Sequence, residues 1–128
     1  MISIPIPRLV IVSPCYNEEA ILAYSARELT TLLERLIAAG KILPTSHVLY
    51  VNDGSRDRTW ELIEELHREN HFIDGLCLAG NVGSELAVMA GMMTAREVAD
   101  AVVTIDADLQ DDLAAVEEMI DRYLEGYD

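Results

Sequence analysis

Positive charge is what this sequence has least of. Nine Lys and Arg stand against 23 Asp and Glu, for a formal net charge of −14, and Lys41 is the only lysine. So acidic a chain repels nucleic acid and anionic membrane, which excludes both as partners. It admits an anionic small ligand on one condition, that a metal ion supplies the missing positive charge. Cysteine is nearly absent too. Cys15 and Cys77 have neither metal-ligand spacing nor a CxxC pattern, and read as reduced thiols of a cytoplasmic domain. The opening MISIPIPRLVIVS has one basic residue and two prolines, without the charged start and long apolar core of a signal peptide. No run nears the roughly 20 apolar residues that a membrane span requires. Internal repeats, low-complexity tracts and linkers are lacking as well. The expectation is one soluble, cytoplasmic domain.

What is present is a globular composition, with 51% hydrophobic residues in a chain of 128. RLVIVS (8–13), HVLYVND (47–53), IDGLCLA (73–79) and DAVVTID (100–106) are short apolar runs without alternation, as in strands buried on both faces. Each is followed by a helical pattern. After the first, Ile21, Leu22, Leu29, Leu32, Leu33, Leu36 and Ile37 recur at helical spacing and Gly40 stands at the C-cap. RTWELIEELHREN follows the second, with Asp57 as N-cap; GSELAVMAGMMTAREVA (83–99) the third; DLAAVEEMIDRYLEG the fourth. Four βα units predict an α/β fold, a parallel sheet with helices on both faces. EGYD closes just after a helix, where a doubly wound sheet ordinarily continues. That predicts the N-terminal portion of a longer protein. Trp60, Met89, Met92 and Met93 are expected in the core or against a further neighbour.

In such sheets ligands bind outside the carboxyl ends of the strands, where the strand order reverses. Here every one of those ends is polar: PCYNEE, NDGSRD, GNVGSE and DADLQDD. Each alone is an ordinary turn or helix start. Four converging on one edge make a candidate site. In DADLQDD, Asp106 and Asp108 with Gln110 offer hard oxygen ligands suited to Mg²⁺ or Mn²⁺, and such an ion bridges to substrate phosphates. Asp111 and Asp112 are assigned to the helix start. PCYNEE lacks the glycines of a pyrophosphate cradle. Its carboxylates suit ribose hydroxyls and base N–H groups, and Tyr16 either stacks on a base or packs at the sheet edge. Asp53, beside Gly54, is a candidate acceptor for a base imino hydrogen. His47, His67 and His71 are scattered and are assigned no role.

VSPCYNEE, VNDGSRDRT, GNVGSELAVMAGM and TIDADLQDD together resemble family 2 glycosyltransferases of the GT-A fold, over essentially the whole chain. The last motif resembles most the polyprenyl-phosphate branch, of the dolichyl-phosphate mannose synthase and bacterial undecaprenyl-phosphate glycosyltransferase type. The resemblance implies a Rossmann-like GT-A domain. It implies inverting transfer of a sugar from a UDP- or GDP-linked donor with Mg²⁺ or Mn²⁺, and admits a lipid phosphate as acceptor. By the motif match, Pro14, Tyr16, Asn17, Glu18, Asp53 and Asp106 bind the nucleotide, and Asp106, Asp108 and Gln110 hold the metal against its diphosphate. Residues 1–128 then form the nucleotide-sugar-binding part, without the acceptor half or any membrane helices. The full protein would work at the cytoplasmic face of the membrane.

The sequence departs from the family pattern as well. Gly80 and Ser84 stand where relatives commonly carry basic residues, and Asp112 and Leu113 replace a Pro-Pro pair. The fragment is therefore expected to bind nucleotide without turnover. Two rivals remain: a non-catalytic nucleotide-binding or assembly module of the same fold, and a response-regulator receiver with Glu18, Glu19 and Asp53 as its acidic residues. The receiver lacks its later lysine here.

Overall fold

A computed structural model describes residues 5–109 and 113–126. Its strands are β1 (Leu9–Cys15), β2 (His47–Asn52), β3 (Ile73–Cys77) and β4 (Ala101–Thr104). The helices that alternate with them are α1 (Leu22–Ala38), α2 (Thr59–Glu69), α3 (Ser84–Ala95) and α4 (Leu113–Leu124). All strand pairs are parallel, in the order β3-β2-β1-β4, as the apolar-on-both-faces pattern predicts. The order reverses between β1 and β4, which places the ligand crevice of such a sheet there. β1 pairs with β2 as far as Cys15 opposite Asn52, but with β4 only as far as Val12 opposite Thr104. The ends of β1 and β4 therefore part, and the crevice opens between them.

Alternate residues of β1 and β2 feed two cores. Leu9, Ile11, Val48 and Tyr50 meet Leu29, Leu33 and Leu36 of α1, Ile63 of α2, and Val116 and Ile120 of α4. Val10, Val12, Leu49 and Val51 face Ala87 and Ala95 of α3. That second core is thin because α3 lies directly on the strands. A Cβ at Gly91 would stand 2.5 Å from Val12 Cγ1 and 2.7 Å from Val51 Cγ2. Ala87, Gly91 and Ala95, spaced one turn apart, make this contact stripe. Met89, Met92 and Met93 fall outside it and are exposed, with Leu86. Of the two places expected for these methionines, the core is thereby excluded, since small residues take the sheet-facing positions. No helix among the described residues is long and apolar enough to cross a membrane.

Element ends shift by a few residues, each for a local reason. At the end of α1, Gly40 (φ 73) closes a left-handed cap in which Lys41 N–H bonds Leu36 O at 3.0 Å and Gly40 N–H bonds Ile37 O at 2.9 Å. α1 begins at Leu22, and the positive φ of Asn17 (53°) ends the β1 exit in a separate turn before it. Arg58, not Asp57, holds the N-cap position of α2, yet the Asp57 carboxylate, two residues ahead of the helix, accepts from Thr59 N–H at 2.9 Å. β4 stops at Thr104, and Asp106 opens a turn closed by Leu109 N–H on Asp106 O at 3.0 Å.

Glu117 ties α4 to α1 through Arg35 and Lys41, and Lys41 also reaches Asp121 at 2.8 Å. The Arg35 and Lys41 hydrogen bonds pull the Glu117 carboxyl down to about 2. A depressed carboxyl contributes stability above its unfolded value and loses it as pH falls through the folded one. Acid should therefore loosen α4 between the ordinary carboxylate range and pH ~2. The effect is small at so solvated a pair. A thermal melt of Glu117→Gln against the parent chain should show a deficit at pH 6 that vanishes near pH 2.

Candidate functional site

The crevice between the ends of β1 and β4 holds an open cleft of ≈ 160 Å³. Pro14, Tyr16 and Glu18 reach it from the β1 exit, and Asp53 from the end of β2. Ser84 enters at the first turn of α3, and Asp106 and Asp108 come from the β4 exit. Of the six predicted nucleotide residues, five line this cleft; Asn17 does not. The volume is below the 300–1,000 Å³ of a complete small-molecule site, so it suits one portion of a ligand.

Asn17 works as a brace. Its N–H donates to Ser55 Oγ at 3.0 Å, and its side-chain oxygen accepts from Arg56 N–H at 2.8 Å. Glu18 N–H donates to Thr59 Oγ1 at 2.8 Å, and Glu19 N–H to Asp57 at 3.3 Å. The loops after β1 and β2 are thereby one piece. The motif NDGSRDRT thus holds the Tyr16–Glu18 segment in place over the cleft.

Tyr16 keeps 43% of its surface exposed, so its ring is open to a stacking partner. Asp53 is only 3% exposed. Its carboxylate accepts from Val82 N–H at 2.7 Å and Gly83 N–H at 3.1 Å, and Asn81 Nδ2 donates to its carbonyl at 3.1 Å. Cys15 and Ala107 also line the cleft, and nothing in their sequence context marks either as a site residue. Burial, with the charge of Glu18, pushes the Cys15 thiol far up, so it is an inert wall. Ser84 is visible in the sequence as the residue after Gly83 in the third motif.

Burial raises the Glu18 carboxyl above the ordinary carboxylate range, and Asp108, Asp57 and Asp106 add to the rise in that order. The carboxylates around this cleft therefore oppose one another, and a cation would relieve that. Among the described residues no group of three or more His, Cys, Asp or Glu stands ready to hold a metal alone. Asp106 and Asp108 face one cleft, while Gln110 lies outside the described residues, as do Asp111 and Asp112. Two carboxylates fit Mg²⁺ or Mn²⁺, which such sites bind through one or two carboxylates plus ligand phosphates.

The family model for glycosyl transferase family 2 matches residues 10–128. YkoT of Bacillus subtilis (strain 168), an uncharacterized glycosyltransferase, is 42% identical over 120 residues, covering 94% of this chain and 36% of its own. The undecaprenyl-phosphate 4-deoxy-4-formamido-L-arabinose transferase of Pseudomonas paraeruginosa is 36% identical over 126 residues, 97% of this chain and 34% of its own. Among solved structures, S. aureus TarS 1–349 in complex with UDP superposes with a TM-score of 0.58 at 21% identity, over 90% of this chain and 32% of that one. The mannosyltransferase PcManGT of Pyrobaculum calidifontis, in complex with GDP-Man and Mn²⁺, gives 0.56 at 20% identity, over 80% and 28%. The two structures establish the fold, a GT-A Rossmann-like sheet. The chain spans about a third of the length of these relatives.

Proposed function

The chain belongs to glycosyl transferase family 2, and from that premise we propose that its cleft takes the nucleoside diphosphate of a nucleotide sugar, with Mg²⁺ or Mn²⁺. The observation that carries this is the gathering of Pro14, Tyr16, Glu18, Asp53, Asp106 and Asp108 at the strand-order reversal. Tyr16 offers its face to the base, and Glu18 offers carboxylate oxygens to ribose hydroxyls. Asp106 and Asp108, with Gln110 next in sequence, would hold the ion against the diphosphate. Bound there, the ion would supply Lewis acidity that stabilises charge on the departing nucleoside diphosphate.

Transfer proceeds with inversion. An acceptor oxygen bonds to the anomeric carbon on the face away from the leaving group, and the bond to the diphosphate oxygen breaks with its electron pair. A polyprenyl phosphate is the acceptor the reading favours, supported by the name of the P. paraeruginosa relative. Such a phosphate is already anionic and needs no general base. Residues 1–128, about a third of the length of these relatives, are proposed to bind nucleotide without turnover. A second reading keeps nucleotide binding without chemistry. Ser84 favours it, since it lines the cleft where relatives commonly place a basic residue. The receiver-domain alternative falls with the family assignment.

Thermal melts with UDP, GDP and their sugars, with and without Mn²⁺, test the proposal. At about 100 times its Kd, one nucleoside diphosphate should stabilise the chain by about 2.7 kcal/mol, and only with the metal. No shift with any nucleotide sinks the binding claim. Sugar transfer by the 128-residue chain itself would overturn its expected inactivity.

A further inference from the structure

A carboxylate as buried as that of Asp53 is costly unless its oxygens are hydrogen-bonded. Here the partners all come from one place, the loop that leads into α3. Val82 N–H and Gly83 N–H donate to its two carboxylate oxygens at 2.7 and 3.1 Å. Asn81 Nδ2 lies 3.1 Å from the Asp53 carbonyl and 3.4 Å from the carboxylate. The next residue tightens the junction: at Gly54 (φ +64) a Cβ would stand 2.4 Å from Asn81 N and 2.6 Å from Gly80 C. The 80–83 backbone thus rests directly on the end of β2. Gly83, at the start of α3, has no capping side chain of its own. A negative charge is favourable at that end of a helix: Glu85 stands in the first turn of α3, and Asp53 adds a second from the β2 exit. Ser84 follows at once and lines the cleft.

We infer that Asp53 is a positioning residue: its carboxylate latches the 81–83 loop and so sets Ser84 and the first turn of α3 against the nucleotide cleft. Its effect on ligand binding then passes through the loop, whatever base the ligand carries. This rests on the cleft being the nucleotide site, and it changes what Asp53 does there. An acceptor for a base imino hydrogen discriminates between bases. A latch weakens all nucleotides alike.

The test combines amide hydrogen exchange by NMR with nucleotide affinities, on the parent chain, Asp53→Ala and Asp53→Asn. In Asp53→Ala, the Val82 and Gly83 amides should exchange roughly tenfold faster or more, as loss of about one hydrogen bond each implies. Amides of Ile11 and Val12 in β1 should keep their protection. Affinities for UDP and GDP in the presence of Mn²⁺ should fall by a common factor. Asp53→Asn retains one carbonyl oxygen and should fall between the two, a graded rescue that a merely misfolded variant would not give; it also replaces Asp53→Ala if that chain fails to fold. Unchanged exchange at Val82 and Gly83 overturns the latch. So does a change in the UDP:GDP preference of more than about tenfold, the size of one hydrogen bond to a base. If the parent chain binds no nucleotide, the nucleotide-site proposal fails, while the exchange measurements still decide the latch.

Discussion

Gly54→Ala should lower the melting temperature by about 10 °C, while Gly40→Ala, at nearly the same backbone angle, should cost far less. Gly54 has φ +64 and Gly40 φ +73, so both substitutions incur the left-handed penalty of about 1–2 kcal/mol. Their surroundings differ. A Cβ at Gly40 meets nothing within 4 Å, whereas one at Gly54 would lie 2.4 Å from Asn81 N. The atom in the way is backbone, which cannot rotate aside as a side chain can. Overpacking of that kind adds about 1–3 kcal/mol, which brings the total to roughly 3 kcal/mol. Displacing the 80–83 backbone also stretches the Asp53 hydrogen bonds, so nucleotide affinity should fall together with stability. Equal melting temperatures for the two variants would show that the contact between the β2 exit and the α3 lead-in carries no energy.

That contact joins residues nearly 30 positions apart in sequence, and it marks the limit of what the sequence makes legible. Strands are legible because a parallel strand buried on both faces must be apolar throughout, as RLVIVS and HVLYVN are. The positions of Asp53, Asp106 and Asp108 at the cleft follow from strand ends alone, since chain direction fixes which edge they share. Asn17 shows where this stops. It sits in the right loop, but whether its side chain faces a ligand or Arg56 N–H depends on how two loops meet. The methionines of α3 show another limit. A helix apolar all round carries no phase, and the stripe Ala87, Gly91, Ala95 outcompetes bulkier residues only because α3 lies so close to Val12 and Val51. Asp53 is placed by its strand, but its partners Val82 and Gly83 are main-chain groups, which any residue type would offer.

Asp108→Asn should show opposite signs in two measurements on the same protein. With nucleotide and Mn²⁺, its affinity should fall at least about 100-fold. Removing an outer partner of a metal ligand already costs 10–100-fold, and this residue is a proposed ligand itself. Without nucleotide or metal, the variant should melt no lower than the parent and should gain stability as pH rises above the carboxylate range. The reason is on the other side of the cleft. Glu18 is partly desolvated, and Asp108 is the largest of the charges that further disfavour its ionised form. Removing one negative charge relieves that opposition, so Glu18 ionises at lower cost. Asp106→Asn should act in the same sense but more weakly on Glu18, since its contribution there ranks below those of Asp108 and Asp57. Sites assembled for binding commonly hold such internal repulsion, and neutralising it exchanges function for stability. A chain in which Asp108→Asn lowers the ligand-free melting temperature, yet leaves the Mn²⁺-dependent nucleotide shift intact, would remove the metal from this cleft.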